Sequence, residues 1–200
     1  MSPNDAQYTF IQNYLNAAET ALFGANFTDT AIGYRHYLDV PSFVDWCLIN
    51  EIIKNNDAIF YASCYMNMAP GGKLKMGPIW DFDIALGNVS YNNDFDPTGL
   101  WVSQSSWMVR LFQDTFFVHQ VQQRFNYFNS RVNNFLQNID SNASLLSLSV
   151  AANNNVWQTL GKYIGSNPVV AGTYPGEIQN LKTWLTTRVS WLQSTYSAMP

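Results

Sequence analysis

The chain has 200 residues, of which 47% are hydrophobic, 16% aromatic and only 12% charged. That length and apolar load predict one compact domain burying roughly 70% of its unfolded surface, and they exclude intrinsic disorder. Ten Lys and Arg against 14 Asp and Glu give a net charge of -4. There is thus no basic footprint for nucleic acid, and no run approaches the roughly 18 apolar residues of a membrane span.

Ser2-Pro3-Asn4-Asp5 reads as a helix start, with Pro in the first turn and an acid near the helix N-terminus. Phe10, Ile11, Tyr14, Leu15, Ala18 and Leu22 follow at helical spacing, and Gly24 ends the run. Residues 27–37 read as an aromatic loop. A second helix opens at Asp39-Val40-Pro41-Ser42, carries Phe43, Val44, Cys47, Leu48 and Ile52, and runs out at Lys54-Asn55-Asn56-Asp57. The period then changes. Residues 59–66 are rich in β-formers, Pro70-Gly71-Gly72 is a turn, and Lys73-Leu74-Lys75-Met76 forms the return strand of a hairpin.

Residues 89–102 form a loop rich in Asn, Asp, Gly and Pro, too long to be a mere connector. A short helix is expected over 107–112. A longer one is capped by Asp114 and extends through Phe135 and Leu136, and another spans Ala143 to Leu160 with an interruption at Asn153-Asn154-Asn155. The last helix covers Gly176 to Ser197. The predicted fold class is mainly α with a small β-hairpin, in a single domain over residues 1–200.

Cys47 and Cys64 sit in apolar runs and read as small buried hydrophobes, with a disulfide or a reactive thiol as the alternative. His36 and His119 are isolated. The seven Trp residues are spaced mostly as core anchors, with Trp101, near Tyr91 and Phe95, the one expected at the surface. Met1 to Asp5 contain no signal-peptide pattern, whereas the low charge and many Asn and Ser residues point to an extracellular or cell-surface protein.

The chemistry-bearing residues are Asp57, Asp81 and Asp83. Asp57 precedes the first hairpin strand and Asp81-Phe82-Asp83 follows the second, so the open end of the hairpin brings them together. An extended backbone would send the Asp81 and Asp83 carboxylates to one side. Three converging acids suit a hard divalent cation such as Mg²⁺ or Mn²⁺. The same acids also suit ordinary caps and turns. Lys54 is either a point charge for phosphate oxygens or a solvated helix end.

Lys54-Asn55-Asn56-Asp57, the block from Gly72 to Asn88 containing Gly77-Pro78-Ile79-Trp80-Asp81-Phe82-Asp83, the 107–114 segment and the 181–192 segment together resemble the CotH family of spore-coat-type, kinase-like proteins. The likeness runs from about residue 7 to 192. It implies the C-terminal lobe of an atypical protein-kinase-like fold, using ATP and Mg²⁺ or Mn²⁺ to phosphorylate protein Ser/Thr. Carried over, Asp57 is the catalytic acid/base, and Asp81 and Asp83 are the metal ligands. Protein kinases place an Asn five residues after the catalytic Asp. Here that position is Ala62, which leaves Ser63 as the nearest polar residue for the cofactor, beside Lys54. No Gly-rich phosphate loop or strand Lys precedes Asp57, so the nucleotide-binding lobe is expected to be missing from this chain and the fragment to be nearly inactive. The alternative is a non-catalytic module that binds protein or carbohydrate at a cell surface or coat on the same scaffold.

Overall fold

The computed structural model describes residues 6–60, 62–165 and 167–200. The expected helix start at Ser2 to Asp5 lies outside these residues. The fold is built around α3, Val40–Ile53, which is preceded by α1, Ala6–Phe23, and the single turn α2, Tyr34–Tyr37. Asp39 caps α3 by accepting from the Ser42 N–H at 3.1 Å, and Pro41 fits its first turn. Phe43, Val44, Trp46, Cys47, Leu48, Asn50, Glu51 and Ile52 are all buried, so α3 is covered on all sides but the narrow face of Pro41, Asp45 and Ile49. Trp107 stacks on Phe43 with ring centroids 6.2 Å apart.

Around α3 pack α4, Ser106–Leu111, α5, Thr115–Asn129, and α7, Tyr174–Ser197; α6, Val132–Trp157, lies against α7. Asp114 caps α5 through the Phe116 N–H at 3.0 Å, and its second oxygen accepts from the Tyr34 hydroxyl at 2.9 Å and from Arg35. In α7, Trp184, Leu185, Arg188, Val189, Leu192 and Tyr196 form the buried stripe. Cys47 is buried and Cys64 half-buried, and both are free thiols.

The hairpin is present but much shorter than expected. Only β1, Met66–Asn67, and β2, Lys75–Met76, pair, antiparallel, with Met66 opposite Met76. Residues 59, 60 and 62–65 are not strand, because Phe60 (φ 62°) and Ser63 (φ 59°) take the left-handed conformation and break any extended run. The hairpin is held to the body where Leu74 donates to the Tyr37 carbonyl and accepts from the Asp39 N–H.

The helices after Asp114 also divide differently. The chain breaks at Ser130-Arg131, and α6 then continues unbroken through Asn153-Asn154-Asn155 to Trp157. Asn154 serves the helix end, accepting from the Gln158 N–H through its carbonyl and from the Leu160 N–H through its side chain. Trp80 and Trp157 are exposed rather than core, whereas Trp101 is half-buried with its indole N–H on the Asn56 carbonyl at 3.1 Å.

The deepest polar contact joins α3 to α7. Glu51 and Arg188 are both fully buried, with Arg188 Nη2 2.7 Å from Glu51 Oε1. Removing one member of such a pair strands the other charge in the interior. Arg188→Met is therefore expected to cost about 3–5 kcal/mol of folding free energy, measured by urea denaturation. A loss below about 1 kcal/mol would place the pair among the ordinary surface bridges.

Candidate functional site

The end of α3 delivers Asp57. Lys54 adopts a left-handed conformation (φ 49°), its N–H bonds to the Glu51 carbonyl at 3.1 Å, and the Asn55 N–H bonds to the Asn50 carbonyl at 2.9 Å. These paired bonds are the usual closure of a helix at a left-handed residue. Asn55 then donates from Nδ2 to Asn50 Oδ1 at 3.0 Å and accepts from the Asp57 N–H at 3.3 Å.

Asn56 uses every polar group it has. Its N–H donates to the Ile84 carbonyl at 3.2 Å, and its carbonyl accepts from Trp101. Its Nδ2 donates to the Tyr91 hydroxyl at 3.0 Å, and its Oδ1 accepts from Asn92 at 2.6 Å. A second backbone bond, from the Leu86 N–H to the Ile53 carbonyl at 2.7 Å, ties the same turn to the segment after Asp83. The backbone before Asp57 is thus fixed from three sides. Its carboxylate is half-buried, and among the described residues nothing donates a hydrogen bond to it.

Asp57, Ser63 and Asp81 line one narrow crevice of about 10 Å³, room for a single water, walled by Trp46 and Trp80. Ser63 is exposed there, and its carbonyl accepts from the Trp80 indole at 3.0 Å. The extended reading of Asp81-Phe82-Asp83 is corrected by the structure. Asp81 is left-handed (φ 61°) and the chain turns at Asp83. The two carboxyls lie against each other all the same. Asp83 holds the Asp81 carboxyl above the usual carboxylate range, and slight burial and the Asp57 charge add to the effect.

Asp83 lines an adjoining open groove of about 230 Å³, bordered by Gly87, Asn88, Pro168 and Glu177. Gly87 (φ 80°) is required at that border, since a Cβ would come within 2.5 Å of the Trp184 indole nitrogen. Among the described residues no group of three or more His, Cys, Asp or Glu is arranged to hold a metal ion. Asp81 and Asp83 form a pair, and Asp57 shares its cleft with Asp81.

Lys54 is neither a solvated helix end nor aimed at the cleft. Its ammonium is buried and matched by the carbonyls of Asp96 at 2.9 Å, Thr98 at 2.8 Å and Asn93 at 3.4 Å, with Asp94 at 3.8 Å. Three N–H donors meet three acceptors. Burial, followed by the nearby Arg188 charge, pushes its pKa down. His36 and His119 are exposed and line no part of the cleft.

Residue-level reasoning on the sequence missed Glu51 and Arg188. The signal was a charge inside each apolar stripe. Arg188 falls at helical spacing between Trp184 and Leu192, and Glu51 sits between Leu48 and Ile52. A charge on a buried face requires a buried partner of opposite sign.

The family model described as CotH kinase protein matches residues 2–192, nearly the whole chain. Neither a curated protein nor a solved structure matches it. No helix among the described residues is long and apolar enough to cross a membrane.

A carboxyl whose pKa is raised by folding contributes stability below its unfolded pKa and loses it as pH rises through the folded one. Asp81→Asn is thus expected to melt at the same or a slightly higher temperature than wild type at neutral pH without metal. The difference should close as pH falls below the carboxylate range. A lower melting temperature at neutral pH would show that Asp81 is a bonded structural residue.

Proposed function

The chain belongs to the CotH kinase family, and on that footing we propose that it is the acid-bearing, C-terminal lobe of an atypical protein kinase that transfers phosphate from ATP to protein Ser/Thr. The observation that carries this reading is the Asp57 carboxylate. Among the described residues nothing donates to it; it sits on a backbone fixed by Asn55 and Asn56, and shares a cleft with Asp81, which is paired with Asp83.

The donor set suits a divalent ion. Asp81 and Asp83 repel each other, and the nearby Lys54 is committed to loop carbonyls. Mg²⁺ is commonly held by one or two carboxylates, with the remaining positions left to water and phosphate oxygens. Asp81 and Asp83 would hold it, and the ion, when bound, supplies neutralisation of phosphate charge. Asp57 orients the acceptor hydroxyl and takes its proton, a role that needs an accessible carboxylate at fixed position. The Ser63 hydroxyl, exposed on the same cleft, is a second contact for the bound cofactor. Lys54 has no place in nucleotide binding on this reading. Tyr65 and Trp80, packed edge to face at 5.3 Å and exposed, form an apolar rim for the protein substrate. A cell-surface or coat setting agrees with the low charge and high Asn and Ser content.

Transfer of label from γ-labelled ATP tests this directly. The 200-residue chain alone is expected to give little or no transfer. In a longer form carrying a nucleotide-binding lobe, Asp57→Asn should lower the rate by roughly 10²- to 10⁴-fold without altering the melting temperature. In thermal melts of the 200-residue chain, Mg²⁺ or Mn²⁺ should stabilise wild type and not Asp83→Asn. A longer form whose activity ignores Asp57→Asn, together with a chain indifferent to metal, would favour the non-catalytic binding module.

A further inference from the structure

Helix α6 is built the wrong way round for a surface helix. None of its 26 residues is buried. Ile139, Ala143, Val150 and Asn154 are its half-buried side, turned toward the body of the protein. On the opposite side, Ser141, Leu145, Leu148, Ala152 and Val156 fall within roughly 80° of one another at 3.6 residues per turn. Leu145 is 81% exposed, Leu148 84% and Val156 69%. Amphipathic helices normally place charge on that side. From Ser141 to Gly161 there is no charged residue at all.

We propose that this stripe is the contact surface between two copies of the chain, paired through antiparallel α6 helices. Three observations select a second copy over an unlike partner. The stripe has no charge to complement, so it offers nothing to a basic or acidic surface, and two copies meet without like-charge repulsion. Its sizes are self-complementary: about a two-fold axis between Leu148 and Ala152, Leu148 of each copy lies over Ala152 of the other and Leu145 lies beside Val156. Large thus meets small, with Ser149 allowing close approach, as an isologous helix pair requires. Finally, complete covering of the exposed side chains of the stripe would bury at most on the order of 1,000 Å² over the two copies. That is the lower limit for a specific interface and implies weak, concentration-dependent association. The stripe lies on the face of α6 away from the body, so pairing leaves the Asp57 cleft open and does not depend on the kinase reading.

Sedimentation velocity from about 1 to 500 μM is expected to show a monomer–dimer equilibrium with a midpoint in the tens to hundreds of micromolar. Leu148→Glu should be monomeric throughout that range with unchanged helicity and melting temperature, because the residue has no partners to lose in the monomer. Should that variant misfold, Leu145→Ser serves the same purpose with a smaller change. An equimolar mixture of Leu148→Glu and Ala152→Lys should regain dimer, as a heterodimer, because the antiparallel register places the new charges opposite each other. Wild type that stays monomeric at the highest concentration overturns the proposal. So does a dimer that folded Leu148→Glu or Leu145→Ser leaves intact, or a charge-swapped pair that fails to associate.

Discussion

Everything near the candidate site hangs on one buried charge pair. Arg188 has five N–H donors and all five are used: Nε and Nη2 on the Glu51 carbonyl, Nη2 also on Glu51 Oε1, and Nη1 on the carbonyls of Pro97 and Gly99. Glu51 receives, besides Arg188, the N–H of Trp101 at 2.8 Å and the N–H and hydroxyl of Ser103, each at 2.6 Å. Two ions taken out of water are costly, and such saturation is the condition under which the cost is offset. The result is less a gain in stability than a constraint. One side chain from α7 and one from α3 fix the 97–103 loop between them, so the end of α3 can occupy only one position.

That constraint is passed on through the neighbouring polar groups. Three residues after Glu51, the Lys54 ammonium binds the preceding part of the same loop, and two residues further on Asn56 takes Tyr91, Asn92, Trp101 and Ile84. Buried polar networks of this kind are tolerable only when their members are satisfied, and the Lys54 ammonium and every polar group of Asn56 are. The segment they hold also concentrates unfavourable backbone. Lys54, Phe60, Ser63, Asp81 and Leu86 all have positive φ without being glycine. Residues so placed persist only where surrounding contacts over-determine them, and they gather at functional sites. Among the described residues five of them lie between positions 54 and 86, of which Lys54 is the ordinary left-handed closure of α3 and the other four shape the turns on either side of the hairpin.

The sequence made local things visible and hid those that depend on distant partners. The caps at Asp39 and Asp114, the helix end at Asn55-Asn56 and the nearness of Asp57 to Asp81 follow from neighbours in the chain and from a hairpin's open end. The strand expected over residues 59–66 failed because β-forming composition yielded to left-handed turns at Phe60 and Ser63, which the fold imposes from outside. Likewise Asn153-Asn154-Asn155 did not break α6, since intrinsic preference is weak beside tertiary context. The Glu51–Arg188 pair spans 137 positions. Nothing local marks it except a charge on each apolar stripe. Lys54 was read as a choice between solvent and phosphate because its true partners, three main-chain carbonyls, have no signature in sequence.

The division of labour between charges follows from their geometry. A guanidinium and an ammonium are donors only, and a loop short of regular structure presents unpaired carbonyls that need donors. Arg188 and Lys54 meet that need across residues 93–99, and in doing so they are withdrawn from the acids next door. Carboxylates are acceptors only, and Asp57, Asp81 and Asp83 lie where the backbone already has its partners. Among the described residues the cleft thus keeps negative charge without a cation of its own: Asp83, ahead of the Asp57 charge, holds the Asp81 carboxyl up, and burial followed by Asp57, Asp94 and Asp83 raises the phenol of Tyr91.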